Sequence, residues 1–290
     1  MRLRRRSFVG LAAAAVLARP ARAEDTLFFS AIPDEDETRL IARFNKVAEY
    51  LAGRLGAPVR YIPVKTYAAS ITAFRNNQIQ LAWFGGLSGV QARRAVPGSL
   101  ALAQGEEDMR FVSYFIAHAS TGLGEAEALP AALEGKSFTF GERGSTSGRL
   151  MPEFHLRQRF ANRSPEQIFR RVGFSGDHSR TAELVASNAF EVGALNFAVY
   201  DQYVREGRID PAVAKVIWRT PPFPDYHWTA RGDADARFGS GFTQRVRQAL
   251  LDMSDPELLA SFPRRRFVPA SNADYQPILD TAQAIGLIDS

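Results

Sequence analysis

Along nearly its whole length the chain alternates short apolar runs with amphipathic stretches, and this alternation restricts the fold more than any other feature. Residues 27–32 read as a buried strand. Pro33-Asp34-Glu35-Asp36-Glu37 reads as a helix start with acids in its first turn. Leu40, Phe44, Val47, Leu51 and Leu55 then share one helical face, and Gly56 ends it. Residues 59–64 and 79–84 read as strands, with Thr66 capping a helix that carries Ile71 and Phe74. Residues 100–103 and 111–117 are further strands. A second unit starts near Leu129, with strands at 136–140, 172–174, 192–195 and 213–218 and helices opening at Asp177 and Phe197. Such alternation predicts an α/β fold of mostly parallel sheets flanked by helices.

A 23-residue leader removed from 290 residues leaves 267, more than one core usually holds, so two lobes are expected. The expected division is residues 24–115 and 223–290 in one lobe and 116–222 in the other, joined near 113–120 and 220–228. Pro221-Pro222-Phe223-Pro224 stiffens the second crossing. A cleft then lies between the lobes, where sheets of this kind gather the carboxyl ends of strands and the amino ends of helices.

The leader is read from Arg4-Arg5-Arg6-Ser7-Phe8-Val9-Gly10, an apolar run over 11–18, and Ala21-Arg22-Ala23. That is an export signal, of twin-arginine or general secretory type, and its run is too short to span a bilayer. It places the mature chain in the periplasm. Six of the 36 basic residues and none of the 31 acids lie within it. The remainder carries 30 bases against 31 acids, so the net charge of +5 becomes −1. Nothing then favours nucleic-acid binding. The absence of cysteine excludes disulfides, thiol nucleophiles and thiolate metal sites.

Gly144-Ser145-Thr146-Ser147-Gly148 stands between a strand and a helix. Three hydroxyls and free N–H groups at a helix start suit an oxyanion, and plain capping by Ser145 or Ser147 explains the same residues equally well. Arg149 follows where a nucleotide-binding loop would have Lys. Three more loops share this placement, Lys65-Thr66-Tyr67, Trp83-Phe84-Gly85-Gly86 and Ser175-Gly176-Asp177-His178-Ser179, and a fifth candidate, Asp225-Tyr226-His227-Trp228, follows the proline run. The last also reads as a hinge whose aromatics pack between lobes.

This set resembles the phosphate/phosphite/phosphonate-binding family of periplasmic ABC importer proteins, and within it the selenate-binding branch most of all. The resemblance rests on Ser30-Ala31-Ile32-Pro33-Asp34-Glu35, Tyr67-Ala68-Ala69, Leu81-Ala82-Trp83-Phe84-Gly85-Gly86 and Ser145-Thr146-Ser147-Gly148. It continues through Gly176-Asp177-His178, Gly193-Ala194-Leu195-Asn196 and residues 220–226. It implies a two-lobed periplasmic binding protein of type II, a monomer without cofactor or metal. Such a protein captures a small oxyanion and passes it to an inner-membrane ABC permease. By position, Tyr67 is similar to the family's first-lobe phenol, Ser145, Thr146 and Ser147 to its oxyanion cradle, and His178 to its second-lobe contact. Asp225 falls near an acid that accepts from a protonated anion oxygen. Trp83, Gly85 and Tyr226 complete the expected ligand-binding set. Phe111 departs from the pattern, standing where phosphonate-binding members tend to carry tyrosine.

Two other readings stay open. A ligand-sensing domain would use the same cleft. A secreted phosphoesterase would need an activated nucleophile or a metal, and neither H-E-x-x-H nor G-x-S-x-G occurs, although Ser147 with His178 is a conceivable pair.

Overall fold

The structure, a computed structural model, describes residues 26–289. The expected leader lies outside the described residues. In chain order the first elements are β1 (Leu27–Ala31), α1 (Glu37–Leu55), β2 (Val59–Tyr61), α2 (Tyr67–Arg75), β3 (Leu81–Phe84), α3 (Gly86–Ala95) and β4 (Leu100–Gly105). The chain then crosses to a second sheet. There it forms β5 (Ser113–His118), β6 (Ser137–Phe140), α4 (Met151–Arg159), α5 (Pro165–Ile168), β7 (Arg171–Phe174), α6 (His178–Ala186), β8 (Val192–Asn196), α7 (Phe197–Arg205) and β9 (Ala214–Arg219). It returns through β10 (His227–Ala230) and ends with α8 (Ala234–Phe238), α9 (Phe242–Leu251), α10 (Pro256–Ser261), β11 (Phe267–Pro269) and α11 (Gln276–Ala284).

The strand orders are β11-β4-β10-β3-β1-β2 and β7-β6-β8-β5-β9. Parallel pairing holds for β1 with β2 and β3, and for β6 with β7 and β8. The other pairs are antiparallel. Both sheets are therefore mixed rather than mostly parallel. β5 and β10 follow directly on the two crossings and enter their sheets against the run of their neighbours.

The crossings also differ from expectation. Residues 113–118 are a strand of the second sheet, so the first crossing ends ahead of residue 113 and not within 113–120. His227 and Trp228 belong to β10, between β3 and β4, rather than to a hinge. The crossings are bound to each other by paired backbone bonds between Phe111 and Phe223 (2.8 and 2.9 Å). Such ladders join residues more than a hundred positions apart, so no local pattern announces them.

Local chemistry explains the elements that were legible. α1 buries Leu40, Phe44, Val47 and Leu51, and Gly56 closes it at φ 65°, a left-handed conformation glycine adopts freely. Its start is Asp36 and not Pro33, because Asp36 takes the capping bond from Arg39 N–H. Residues 32–35 are thereby released as a loop at the end of β1. The first core links Phe29, Phe44, Trp83, Trp228 and Phe262 through ring contacts centred on Trp228, while the second sheet has separate clusters around Phe138 and around Tyr203.

Candidate functional site

Loops leaving the carboxyl ends of β1, β3, β6 and β8 meet between the two sheets. Ser145 precedes a single π-helical turn, Thr146–Leu150, ahead of α4. Its hydroxyl oxygen accepts Gly148 N–H (2.9 Å) and its carbonyl accepts Leu150 N–H (3.0 Å). The expected cap is present, and the wide turn leaves the N–H groups of Thr146 and Ser147 without intrahelical acceptors. Ser113 Oγ donates to the Ser147 carbonyl (2.7 Å) and holds the turn onto β5.

Opposite stands the start of α3. Leu87 N–H donates to Thr146 Oγ1 (2.9 Å), and Gly86 N–H donates to Asp225 Oδ1 (2.8 Å). Gly85 is needed for this approach, since a Cβ there would lie 3.1 Å from Asp225 Oδ1 and 3.3 Å from Thr146 Oγ1. Tyr67, the first residue of α2, is buried, and Gly144 lies against its ring. The Ser145 hydroxyl is near the phenol, and those of Thr146 and Ser147 are near Asp225. None of them meets Tyr67 Oη or Asp225 Oδ2 in bonding geometry, and both atoms are buried without a partner.

His178 opens α6, with Asp177 as cap. Its Nδ1 accepts Asn196 N–H (3.3 Å), so the neutral ring carries its proton on Nε2, 3.4 Å from the Tyr226 hydroxyl. Asn196 Nδ2 donates to the same hydroxyl (3.0 Å). Burial lowers the His178 pKa to about 3, which keeps the ring neutral. With both nitrogens engaged, Ser147 gains no base from it.

Two acids complete the cluster. Burial raises Asp225 to about 7, and it raises Asp34 to about 7 with help from neighbouring Glu35. Asp34 was read from sequence as part of a helix start and of the Ser30–Glu35 landmark, not as a site residue. It lies instead in the loop after β1, where its carbonyl accepts His178 N–H (3.0 Å) and one carboxylate oxygen is buried without a partner. Asn196 was likewise missed as a site residue, although it caps α7 through Val199 N–H (2.8 Å). The available signals were a cap after a strand for Asn196 and, for both residues, their place in the landmarks of the resemblance.

Of the expected set, Tyr67, Gly85, Ser145, Thr146, Ser147, His178, Asp225 and Tyr226 are brought together. Trp83 is not. Its ring stacks on Tyr226 (5.6 Å between centroids) and meets Trp228, Phe262 and Phe267 in the core, so it supports Tyr226 from behind. Phe111 touches Tyr226 and Phe197 in the crossing. The nearby buried arginines are already paired, Arg43 with Glu35 (2.9 Å) and Arg264 with Asp108 (2.7 Å). Among the described residues no group of three or more His, Asp or Glu is placed to hold a metal ion. The site is thus a set of neutral donors and two acids whose protonated forms burial favours. It suits a small anion that both accepts and donates hydrogen bonds.

Comparison with known proteins agrees. Residues 29–275 match the family described as ABC transporter, phosphonate, periplasmic substrate-binding protein. A probable ABC transporter phosphite-binding protein, PhnD1 of Prochlorococcus marinus, is 37% identical over 269 residues, covering 89% of each chain. The structure of that organism's PhnD1 with methylphosphonate superposes with a TM-score of 0.85 at 36% identity, over 91% of this chain and 99% of the other. The phosphonates-binding periplasmic protein of Escherichia coli is 25% identical over 224 residues, 75% of this chain and 65% of that protein. The chain belongs to the phosphonate-binding family of periplasmic substrate-binding proteins of ABC transporters, a family of solute carriers rather than enzymes.

Proposed function

We propose that the cleft captures a tetrahedral phosphorus oxyanion bearing at least one proton, phosphite or a small phosphonate such as methylphosphonate, and hands it to an ABC permease. The observation that carries this reading is the convergence of Tyr67 Oη, Asp34 Oδ1 and Asp225 Oδ2, all buried and unpartnered, around the Ser145–Ser147 turn. Hydroxyls and N–H groups bind the ionised oxygens, and a carboxylate accepts the remaining P–OH. Preorganised neutral donors suffice in a buried site. Sulfate and selenate carry no proton near neutrality and would face the acids unpaired, so the selenate assignment is the weaker one.

Calorimetry and thermal shift with phosphite, methylphosphonate, phosphate, selenite, sulfate and selenate test this. Phosphite and methylphosphonate are expected to bind and raise the melting temperature, and sulfate and selenate to do neither. Selenate binding as tightly as phosphite would overturn the proposal.

A pH dependence follows. Burial raises both acids, so the folded state holds protons that the unfolded chain releases between pH 3.8 and about 7. These acids therefore stabilise the fold at low pH, and that contribution is lost as pH rises through about 7. An ionised acid and a fully ionised ligand repel each other, so above that point binding takes up a proton, which the acid and the P–OH share. Affinity for methylphosphonate should fall by up to about tenfold per pH unit above pH 7 for one linked proton. Asp225→Asn should flatten the slope, whereas a slope of opposite sign would sink the assignment.

A further inference from the structure

Among the described residues, a single ion pair joins the two halves of the molecule. Arg39 on α1 meets Glu206, which ends α7, through two parallel bonds: Nη1 to Oε1 at 3.0 Å and Nη2 to Oε2 at 2.5 Å. The residues are 167 positions apart, α1 packing on the first sheet and α7 following β8 of the second. Glu206 is held for the contact by Gln202 Nε2 (2.9 Å), and the Arg39 guanidinium lies 5.6 Å from the centre of the Tyr203 ring. Every other ion pair stays within one half or within its adjoining crossing.

The other inter-lobe bonds lie at the anion site itself: His178 N–H to Asp34 O, Leu87 N–H to Thr146 Oγ1, and the Tyr226 hydroxyl with Asn196 Nδ2 and His178 Nε2. Arg39 and Glu206 touch none of the site residues. We propose that they form a latch, a pair of positioning residues that favours the closed arrangement from outside the site and slows ligand release. The inference rests on the proposed capture of an anion between the two halves, taken here to close on it, but not on which anion that is. A fork of two charged bonds restricts the relative rotation of α1 and α7 more than one contact would. Both side chains are about one-third exposed (32% and 33%), so solvent weakens the pair and the bias is modest. Apparent affinity scales with the closed fraction, so even a modest bias registers in binding.

The test compares the full mature protein with Glu206→Ala, Arg39→Met and the charge-exchanged double variant Arg39→Glu/Glu206→Arg. Methylphosphonate is the probe by stopped flow, and fluorescent labels on α1 and α7 report closure without ligand. Either single variant is expected to release methylphosphonate about three- to fivefold faster with little change in association rate. Each should shift the unliganded label distance outward. The charge exchange should restore much of both effects, and about 1 M salt should speed release from the parent but not from the single variants. A merely structural role would alter melting temperature without the salt effect or the rescue. Unchanged label distances in the unliganded single variants would overturn the latch even were no anion bound. Failure of the parent to bind any anion, with those distances shifted, would instead fault the ligand assignment and leave the latch standing.

Discussion

Replacing Gly148 with alanine is expected to lower methylphosphonate affinity at least about a hundredfold while leaving a folded protein, a loss of roughly 3 kcal/mol in binding. A Cβ at this position would lie 2.9 Å from His178 Cε1 and 3.0 Å from Ser145 Oγ. Neither neighbour can retreat at low cost. The imidazole is buried, held at Nδ1 by Asn196 N–H and at Nε2 by the Tyr226 hydroxyl. The Ser145 hydroxyl is occupied as the cap of the π turn. The added methyl must push the ring out of register or open the turn, and either change separates donors that have to meet one anion. Overpacking of this kind costs the fold about 1–3 kcal/mol, which a domain of this size survives. Gly124→Ala is the control, since a Cβ there meets nothing within 4 Å. Calorimetry on both variants, with circular dichroism to verify the fold, decides the matter. Binding by Gly148→Ala within threefold of the parent would mean that the turn and His178 do not hold the ligand together.

Asp108→Ala should cost about 3–5 kcal/mol of stability in urea unfolding. Asp108 is fully buried in the first crossing and faces Arg264 through two bonds, Oδ2 to Nε at 2.8 Å and Oδ1 to Nη2 at 2.7 Å. Oδ2 also accepts Gly105 N–H (3.0 Å). Removing the carboxylate strands a buried guanidinium between Phe111 and Tyr226, whose ring centres are each 5.5 Å from it. Replacing both members by apolar residues, Asp108→Leu with Arg264→Met, should recover much of the loss, because it is the unpaired charge that is costly. The effect should reach binding too, since the Asp108 carbonyl accepts Asp225 N–H (3.0 Å) and sets where that acid stands. A loss below about 1 kcal/mol would show that water reaches Arg264 and that the pair is not an anchor.

How much of the site could be read in advance depended on the range of the interactions involved. Thr66, Ser145 and Asp177 each cap a turn within three residues of themselves, accepting from Ala69, Gly148 and Arg180. Helix starts at Tyr67, at the serine turn and at His178 were therefore legible, because capping is a contest among neighbours in sequence. The face of α1 was equally plain, its period following from helical geometry alone. Trp83 was expected in the site, but sequence marks a strand residue as apolar without saying which partner covers it. Here Tyr226 does, from 143 positions away.

The chain's own order of residues determined which loops would end in free N–H groups and hydroxyls, since that property is local and survives whatever surrounds it. Tertiary structure alone decided that Asp34 is buried beside those loops and that Asp225 meets the start of α3. It also decided that Arg39 reaches Glu206. Each of these depends on the chain crossing twice between sheets, and the desolvation that shifts the two acids exists only once both halves close over them.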